Sequence, residues 1–456
     1  MVGSARVDGE AGLVIELDTD WEPRDPPVGS VWRVGRRTRL AIGMLTCLLL
    51  VAVSARPVAP VPAFRLVESV PASPGDFYSL SGDQVFVVRS TPPARRSRID
   101  AYSLPGGRHQ WRALLPAQLY AYPAAATVGV ILAEGTNPQQ PRQVMALDAA
   151  TGSVLWRLAD AMVFDDTTSV GPRMLVFVAP SGGPRELRLL DTRSGATVWS
   201  RPLPAGTRAK VLASRRLVLR SADGSAQILD EDTARTLVSG RLDTDSYQSP
   251  LDDSPGFGAL SAGDRLIVTY LLPHDVTGVS AYQMSTLDKL WSTEVGERVL
   301  NVADCLAVLC VSSDDNMIAV DPATGERRWA TLRWIMGGGL GGLVQATNVP
   351  GEQDPDGRVV LLDPETGRLT LDLGDWSPLE PIIRGQPALL TTGRRGPLGT
   401  WVGALDRAGT AVRPVAFLPD AMRGTCEIDR TGRLYLACSD YDGPVDIWVG
   451  RPASDG

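Results

Sequence analysis

An all-β chain, a single closed propeller of four-stranded blades behind one N-terminal transmembrane helix, is predicted by three features of the sequence. A long phrase recurs almost unchanged: Ala146-Leu-Asp148-Ala-Ala-Thr151-Gly152-Ser-Val-Leu-Trp156 and Ala319-Val-Asp321-Pro-Ala-Thr324-Gly325-Glu-Arg-Arg-Trp329. Weaker copies of it recur at a steady period along most of the chain. Ahead of them lies one uncharged apolar run, 40–55, preceded by four arginines.

The phrase A-x-D-x-x-T-G-x-x-x-W has the physics of a hairpin. Alternating apolar runs flank it, Val144-Met-Ala-Leu before and Val154-Leu-Trp-Arg-Leu after, as two paired strands require. Between them, Asp148 accepts hydrogen bonds from turn amides, Thr151 does so more weakly, and Gly152 takes a positive φ. Trp156 then lies on the second strand as a large apolar plate for a neighbouring sheet.

With the Asp as a ruler, the copies fall at Ser103, Asp148, Asp191, Asp230, Gln283, Asp321, Asp363 and Asp406. Their gaps of 45, 43, 39, 53, 38, 42 and 43 residues match the ~40–50 residues of a four-stranded blade. The second motif position holds Trp111, Trp156, Trp199, Trp291 and Trp329, with Val238 and Leu371 as exceptions. Gly195 completes the copy at Asp191 and Trp199. The copy at Asp406 is one residue short and has no matching Trp, as terminal repeats often are.

An apolar run precedes each phrase, for example Asp83-Gln-Val-Phe-Val-Val and Asp264-Arg-Leu-Ile-Val-Thr. About nine such runs stand against eight phrases. The ninth, Leu434–Ala437, is followed by Asp446-Ile-Trp-Val, and Phe64-Arg-Leu-Val-Glu-Ser can supply the strand its blade lacks. Both termini would then share one blade, which removes an exposed edge. Eight blades are expected over 64–451, with seven or nine as the neighbouring counts. The 46 Gly and 35 Pro suit many short strands joined by tight turns, and no long 3.6-residue period appears after residue 60.

This phrase resembles the tryptophan-docking motif of the β-propellers named after pyrroloquinoline quinone (PQQ) enzymes. The nearest functional analogue within that resemblance is the non-enzymatic branch typified by BamB, a propeller lipoprotein of β-barrel assembly. The resemblance implies the fold and a scaffold role as a class, and no particular partner. A lipobox is missing, since Cys47 lies in mid-run. The Arg bias, with Lys210 and Lys289 the sole lysines, points to a GC-rich, actinobacterial genome.

In the quinoprotein dehydrogenases of the same resemblance, PQQ lies above a calcium ion held by Glu, Asn and Asp. A vicinal Cys–Cys disulfide covers one face of the cofactor. This chain has no adjacent cysteines, and none of its residues maps onto those ligands or onto the catalytic base. No cofactor, no metal and no catalytic residue is therefore expected. The shared motif, Asp148, Thr151, Gly152, Trp156, Asp191, Gly195, Trp199, Trp291, Asp321, Thr324, Gly325 and Trp329, is read as the structural docking set.

The first 63 residues are different material. Leu40–Ala55 is uncharged and follows Arg33, Arg36, Arg37 and Arg39. Its sixteen residues fall just short of the ~17–25 of a usual span, and snorkelling arginines extend it. The basic cluster places the N-terminus in the cytoplasm and the propeller outside. Val53-Ser-Ala55 also resembles a signal-peptide cleavage site, but the 39-residue leader favours an uncleaved anchor. Arg56–Ala63 reads as a Pro-rich spacer. Residues 1–39, acidic over 8–25, read as a disordered cytoplasmic tail.

Four cysteines lie beyond the apolar run, Cys305, Cys310, Cys426 and Cys438, and are expected to be oxidised. Cys305 and Cys310 read as residues of one strand, where five residues span ~16 Å against the ~7 Å a disulfide tolerates. The pairing therefore stays open. Asp314-Asp-Asn316 and Asp354-Pro-Asp-Gly357 read as turns. His109 reads as a strand residue beside Trp111, and His274-Asp275 has no accompanying nucleophile motif. Gly337–Gly342 lacks the Lys-Ser/Thr of a phosphate loop and reads as a connection entering a blade.

A net charge of −7 and a pI near 5.1 argue against nucleic acid. The expected function is a non-catalytic, membrane-anchored extracytoplasmic scaffold for an unidentified protein or envelope ligand. The alternatives are a PQQ- and calcium-dependent dehydrogenase and a transmembrane sensor.

Overall fold

The computed structural model describes residues 64–450. Excepted are 74, 92–95, 116–118, 123–128, 138–139, 165–170, 181–182, 213–214, 244–257, 298, 300, 314–315, 348–357, 380–387, 393–398, 407, 420–425, 430–433 and 440–442. The expected tail, anchor and linker, and most of the two acid clusters at 314 and 354, lie outside the described residues. No helix among the described residues is long and apolar enough to cross a membrane.

Nine four-stranded antiparallel sheets form the blades, one more than the eight expected. Blades 1 to 8 span 77–115, 119–159, 161–203, 208–241, 259–297, 301–331, 335–374 and 376–419. Blade 9 combines the strands Cys426–Asp429, Leu434–Ser439 and Val445–Gly450 with Arg65–Val70 from the other end of the chain. Eight phrases gave eight blades because a phrase marks the turn between a blade's third and fourth strands. In blade 9 those strands are separated by the whole ring, so no such turn exists to be counted.

The apolar core is divided among the seams. Nine buried clusters each draw on two adjacent blades, among them Phe86, Trp111, Ile131 and Met145 between blades 1 and 2. Tyr78, Val85, Tyr435 and Ile447 form the cluster that joins blade 9 to blade 1. Nine seams for nine blades mean that every sheet buries both faces, and the strands accordingly read as dense Val, Ile and Leu runs.

First strands touch at the seams of blades 4 and 5, 5 and 6, 6 and 7, and 9 and 1, which places them innermost. The fourth strand has a free outer edge. In blades 1 to 7 that edge is broken by a bulge one residue before the docking position, at Gln110, Leu155, Val198, Leu237, Leu290, Arg328 and Thr370. The closing strand bulges at Val67 in the same way. Bulges disrupt the ladder that an edge offers to other chains.

The sequence reading of the cysteines is corrected. Cys305 and Cys310 form a disulfide, with Cα atoms 5.8 Å apart. They do not share a strand: Asn301–Asp304 ends before Cys305, the chain turns through Leu306 at φ 75°, and the next strand is Leu309–Ser312. Cys426 and Cys438 face each other across adjacent strands of blade 9 and form the second disulfide. The Gly-rich run is also part of a blade: Ile335–Leu340 is the first strand of blade 7, and Gly341–Gly342 is its turn.

Candidate binding cleft at a relaxed seam

The docking set is built from its turns. In each full phrase the Asp carboxylate accepts amides of the turn that follows it. Asp148 Oδ1 takes Ala150 N and Thr151 N, both at 3.0 Å, and Asp321 Oδ1 takes Ala323 N at 2.7 Å and Thr324 N at 3.1 Å. Hydrogen bonds from Ser194 and Thr366 hold the carboxyls of Asp191 and Asp363 below the ordinary range, while the Arg328 side chain does so for Asp321. The next backbone step turns left-handed, at φ 70° for Gly152, 69° for Gly195 and 77° for Gly325.

The Trp of the preceding blade lies over that glycine. Trp156 Nε1 donates to Thr192 O at 3.0 Å, Trp199 to Glu231 O at 2.9 Å, Trp291 to Pro322 O at 3.1 Å and Trp329 to Pro364 O at 2.9 Å. The acceptor is always the residue after the phrase's Asp. A Cβ on Gly195 would stand 2.6 Å from the Trp156 ring, and one on Gly325 2.6 Å from Trp291. At these two positions glycine serves twice, for its φ and for the ring above it, whereas beneath Trp199 the same left-handed step falls on Ala234, at φ 55°. At the closure, Glu68 of the last outer strand overlies Gly107 in the same manner.

The seam between blades 4 and 5 departs from this pattern. Val238 replaces the Trp, Gln283 the Asp and Leu287 the Gly, yet the turn keeps its shape. Leu287 has φ 62°, and its amide donates to Gln283 O at 2.8 Å. The Leu287 side chain fills the space that an indole occupies elsewhere, in an apolar cluster with Val238, Tyr282 and Met284. Room for it comes from Gly240, where a Cβ would lie 2.7 Å from Leu287 Cβ.

An open cleft of about 530 Å³ lies at this seam, lined by Asp223, Arg241, Asp243, Tyr270, Tyr282 and Lys289 among others. In an antiparallel blade the turns alternate between the two ends of the ring. The cleft's lining draws on the second-to-third-strand turn at Asp223–Gly224, on the connection at Leu242–Asp243, and on Tyr282 and Lys289, which flank the docking turn of blade 5. Asp243 is its centre. Its carboxylate receives Lys289 Nζ at 2.9 Å and Ser280 Oγ at 2.5 Å. Its amide donates to Tyr282 Oη at 2.7 Å, and its carbonyl accepts Arg220 at 3.0 Å.

Burial pushes the Asp243 carboxyl up, but hydrogen bonds from Lys289, Ser280 and Tyr282 outweigh it and hold the group below the ordinary range. Burial pushes the Tyr282 phenol up. Ser280 is fully buried and donates to the Asp243 carboxylate, which ties it into the network. Its chemistry is recognition: an ammonium, a guanidinium, carboxylate oxygens and the Tyr270 hydroxyl border one concave space.

A second polar cluster lies at the seam of blades 9 and 1. The Asp100 side chain is wholly buried between Arg112 Nε at 2.7 Å, Arg98 Nε at 2.9 Å, His109 Nε2 at 3.2 Å and Arg89 Nε at 3.4 Å. Burial opposes its ionisation, and the bonds to Arg112 and His109 with the charge of Arg98 prevail, leaving the carboxyl below its usual range. His109 thus serves an ion-pair network. His274 lies in the turn Pro273–Asp275 at φ 67°.

Sequence reasoning missed Asp243, Ser280, Tyr282 and Arg241. The available signal was the coincidence at one repeat of the 53-residue gap with Val238, Gln283 and one of only two lysines. Among the described residues no three His, Cys, Asp or Glu side chains converge to hold a metal. Neither disulfide joins adjacent cysteines.

Repeated docking turns in a closed ring of four-stranded sheets define a propeller of the tryptophan-docking class. Residues 95–176, 140–254 and 244–373 match the family described as outer membrane protein assembly factor BamB, so the chain belongs to that family. No curated protein matches the chain. Among solved structures it is similar to BamB from Moraxella catarrhalis, at 15% identity over 85% of this chain and 100% of that one, with a TM-score of 0.43. A quinohemoprotein alcohol dehydrogenase from Comamonas testosteroni matches at 11% identity over 88% of this chain and 78% of that one, with a TM-score of 0.42.

Proposed function

We propose that this protein is a non-catalytic scaffold of the cell envelope, anchored by residues 40–55, with its propeller outside the membrane. It binds a protein or envelope ligand there. The observation that carries this reading is the family match across 95–373, joined to a motif whose residues are occupied in holding blades together. The two disulfides support it, because such bonds persist in oxidising compartments. The cleft at blades 4 and 5 is the binding surface of choice, since it combines concavity with unlike charges and is held on rigid strands.

Titration of the full-length protein with PQQ and Ca²⁺, read by absorbance and melting temperature, separates scaffold from quinoprotein. No calcium-dependent shift is expected, and tight calcium-dependent binding would sink the scaffold reading. Photocrosslinking from position 241 is expected to give a discrete envelope product that Lys289→Ala weakens. A crosslinker at Arg112, on the far seam, should not give that product, and equal products from both positions would remove the cleft from the proposal. Reporter fusions test the topology: an extracytoplasmic reporter should be active at the C-terminus and silent at the N-terminus.

A further inference from the structure

Between residues 89 and 112 the sequence places six arginines and a histidine against a single acid, Asp100, in a chain whose net charge is −7. Folding gathers part of that surplus around the acid. Arg98 and Asp100 stand two residues apart on Arg96–Ser103, the third strand of blade 1, and so share a face. Arg112, on the fourth strand His109–Leu115, is directly opposite Asp100. Arg98 and Arg112 are therefore diagonal neighbours across the strand pair, about 7–8 Å apart.

The carboxylate holds both side chains by the same end. Arg112 Nε donates to Oδ1 at 2.7 Å, and Arg98 Nε to Oδ2 at 2.9 Å. His109 Nε2 meets Oδ1 at 3.2 Å, with its ring edge-on to Tyr102 at 5.3 Å between centroids. Arg89 has further partners: its Nε lies 3.5 Å from Asp76, and its Nη2 donates to Pro71 O. Arg98, Arg112 and His109 are left to share one negative charge. From blade 9, Glu68 reaches Gly107, two residues before His109. The Asp100 side chain is wholly buried, whereas those of Arg98, His109 and Arg112 are 27%, 41% and 51% exposed. Among the described residues, neither Arg98 nor Arg112 spends an Nη hydrogen on a protein partner.

We propose that Arg98 and Arg112 form an oxyanion site on blade 1 that takes the phosphate group of a monoester or diester. This goes beyond the binding cleft of blades 4 and 5 and lies at a different seam. With each Nε engaged by Asp100, the whole Nη fork of each guanidinium remains for a ligand. A carboxylate fills a single fork with its two oxygens, whereas a tetrahedral phosphate has oxygens for both. Because a buried carboxylate already pins the two side chains, binding immobilises little that is free. The charge surplus attracts the anion, and the exposure of both side chains gives it access. Free phosphate and the headgroup of an anionic lipid present the same group.

Calorimetric titration of the full-length protein with inorganic phosphate and with glycerophosphoglycerol, at an ionic strength held constant with chloride, tests this. Saturable binding is expected, and Arg98→Gln and Arg112→Gln should each weaken it on the order of tenfold or more. Arg413→Gln, at an exposed position on blade 8, should leave it unchanged. Tighter binding of the diester assigns the site to a lipid-type headgroup, and tighter binding of inorganic phosphate assigns it to the free anion. No saturable binding of either probe, or wild-type affinity in both variants, would overturn the proposal. Should the variants fail to fold, phenylglyoxal labelling of the wild type still decides. Saturating phosphate should protect Arg98 and Arg112 but not Arg413, and labelling that phosphate leaves unchanged at all three would also overturn it.

Discussion

Between blades 2 and 3, Trp156 lies on Gly195 and donates to Thr192 O; between blades 4 and 5, Val238 and Leu287 meet beside Gly240. The backbone turn is the same at both seams, left-handed at the seventh residue of the phrase. What changes is which blade supplies the bulk. At the first seam an indole reaches forward over a bare glycine. At the second a leucine reaches back over one. Leu287 bears a positive φ that costs roughly 1–2 kcal/mol, and the seam forgoes an indole hydrogen bond contributing about 1 kcal/mol. Apolar filling and the Asp243 network offset these losses. The docking motif is therefore one solution to a volume constraint, and relaxing it coincides with the cleft.

The largest test of this comparison is Gly195→Leu. With Trp156 in place, the new side chain meets the ring and a positive φ together, so unfolding in denaturant should show a loss of about 3 kcal/mol or more. Leu287→Gly, which opens a cavity but relieves its φ, should cost less, about 2 kcal/mol. A neutral Gly195→Leu would break the volume argument. Trp156→Val combined with Gly195→Leu reproduces the relaxed seam in part. A double-mutant cycle should give a favourable coupling of about 1–2 kcal/mol, while strict additivity would show that the two positions do not compete for space.

The smallest effect is expected at the cleft. Lys289 is nearly half exposed, so Lys289→Ala should lower stability by less than about 1 kcal/mol. It should alter pH dependence more clearly. Asp243 is held below the ordinary carboxylate range, with Lys289 among the causes. Its contribution is thus present above the unfolded value and lost as pH falls through the folded one. Melting curves at pH 7 and pH 3 should therefore converge in Lys289→Ala relative to wild type. An unchanged difference would assign the acid dependence to other groups, Asp100 first.

Much of the ring was legible from residues alone. The strands, the turns with their Asp and Gly, and the pairing of the two chain ends in one blade follow from short-range patterns, because hairpin chemistry depends on neighbours in sequence. The blade count was misjudged by one, since the phrase that marks a blade needs third and fourth strands that are consecutive. Cys305 and Cys310 were misplaced for a related reason. The apolar run Cys305–Val311, seven residues, reads as part of one strand, and the left-handed step at Leu306 that folds it into a hairpin has no Gly or Asn to announce it.

The candidate site was legible only as an irregularity, a long gap with three exceptions to the motif at one repeat. Asp243 and Lys289 are 46 positions apart, and nothing local to either says that they meet.

By itself, then, the sequence determined the repeating unit, the chemistry of its turns and an N-terminal run unlike the rest, because hydrogen-bonded turns and alternating strands are local. Tertiary structure alone decided how many units close the ring and which seam gives way to a cleft. Those outcomes depend on side chains from separate blades sharing one volume and one dielectric environment.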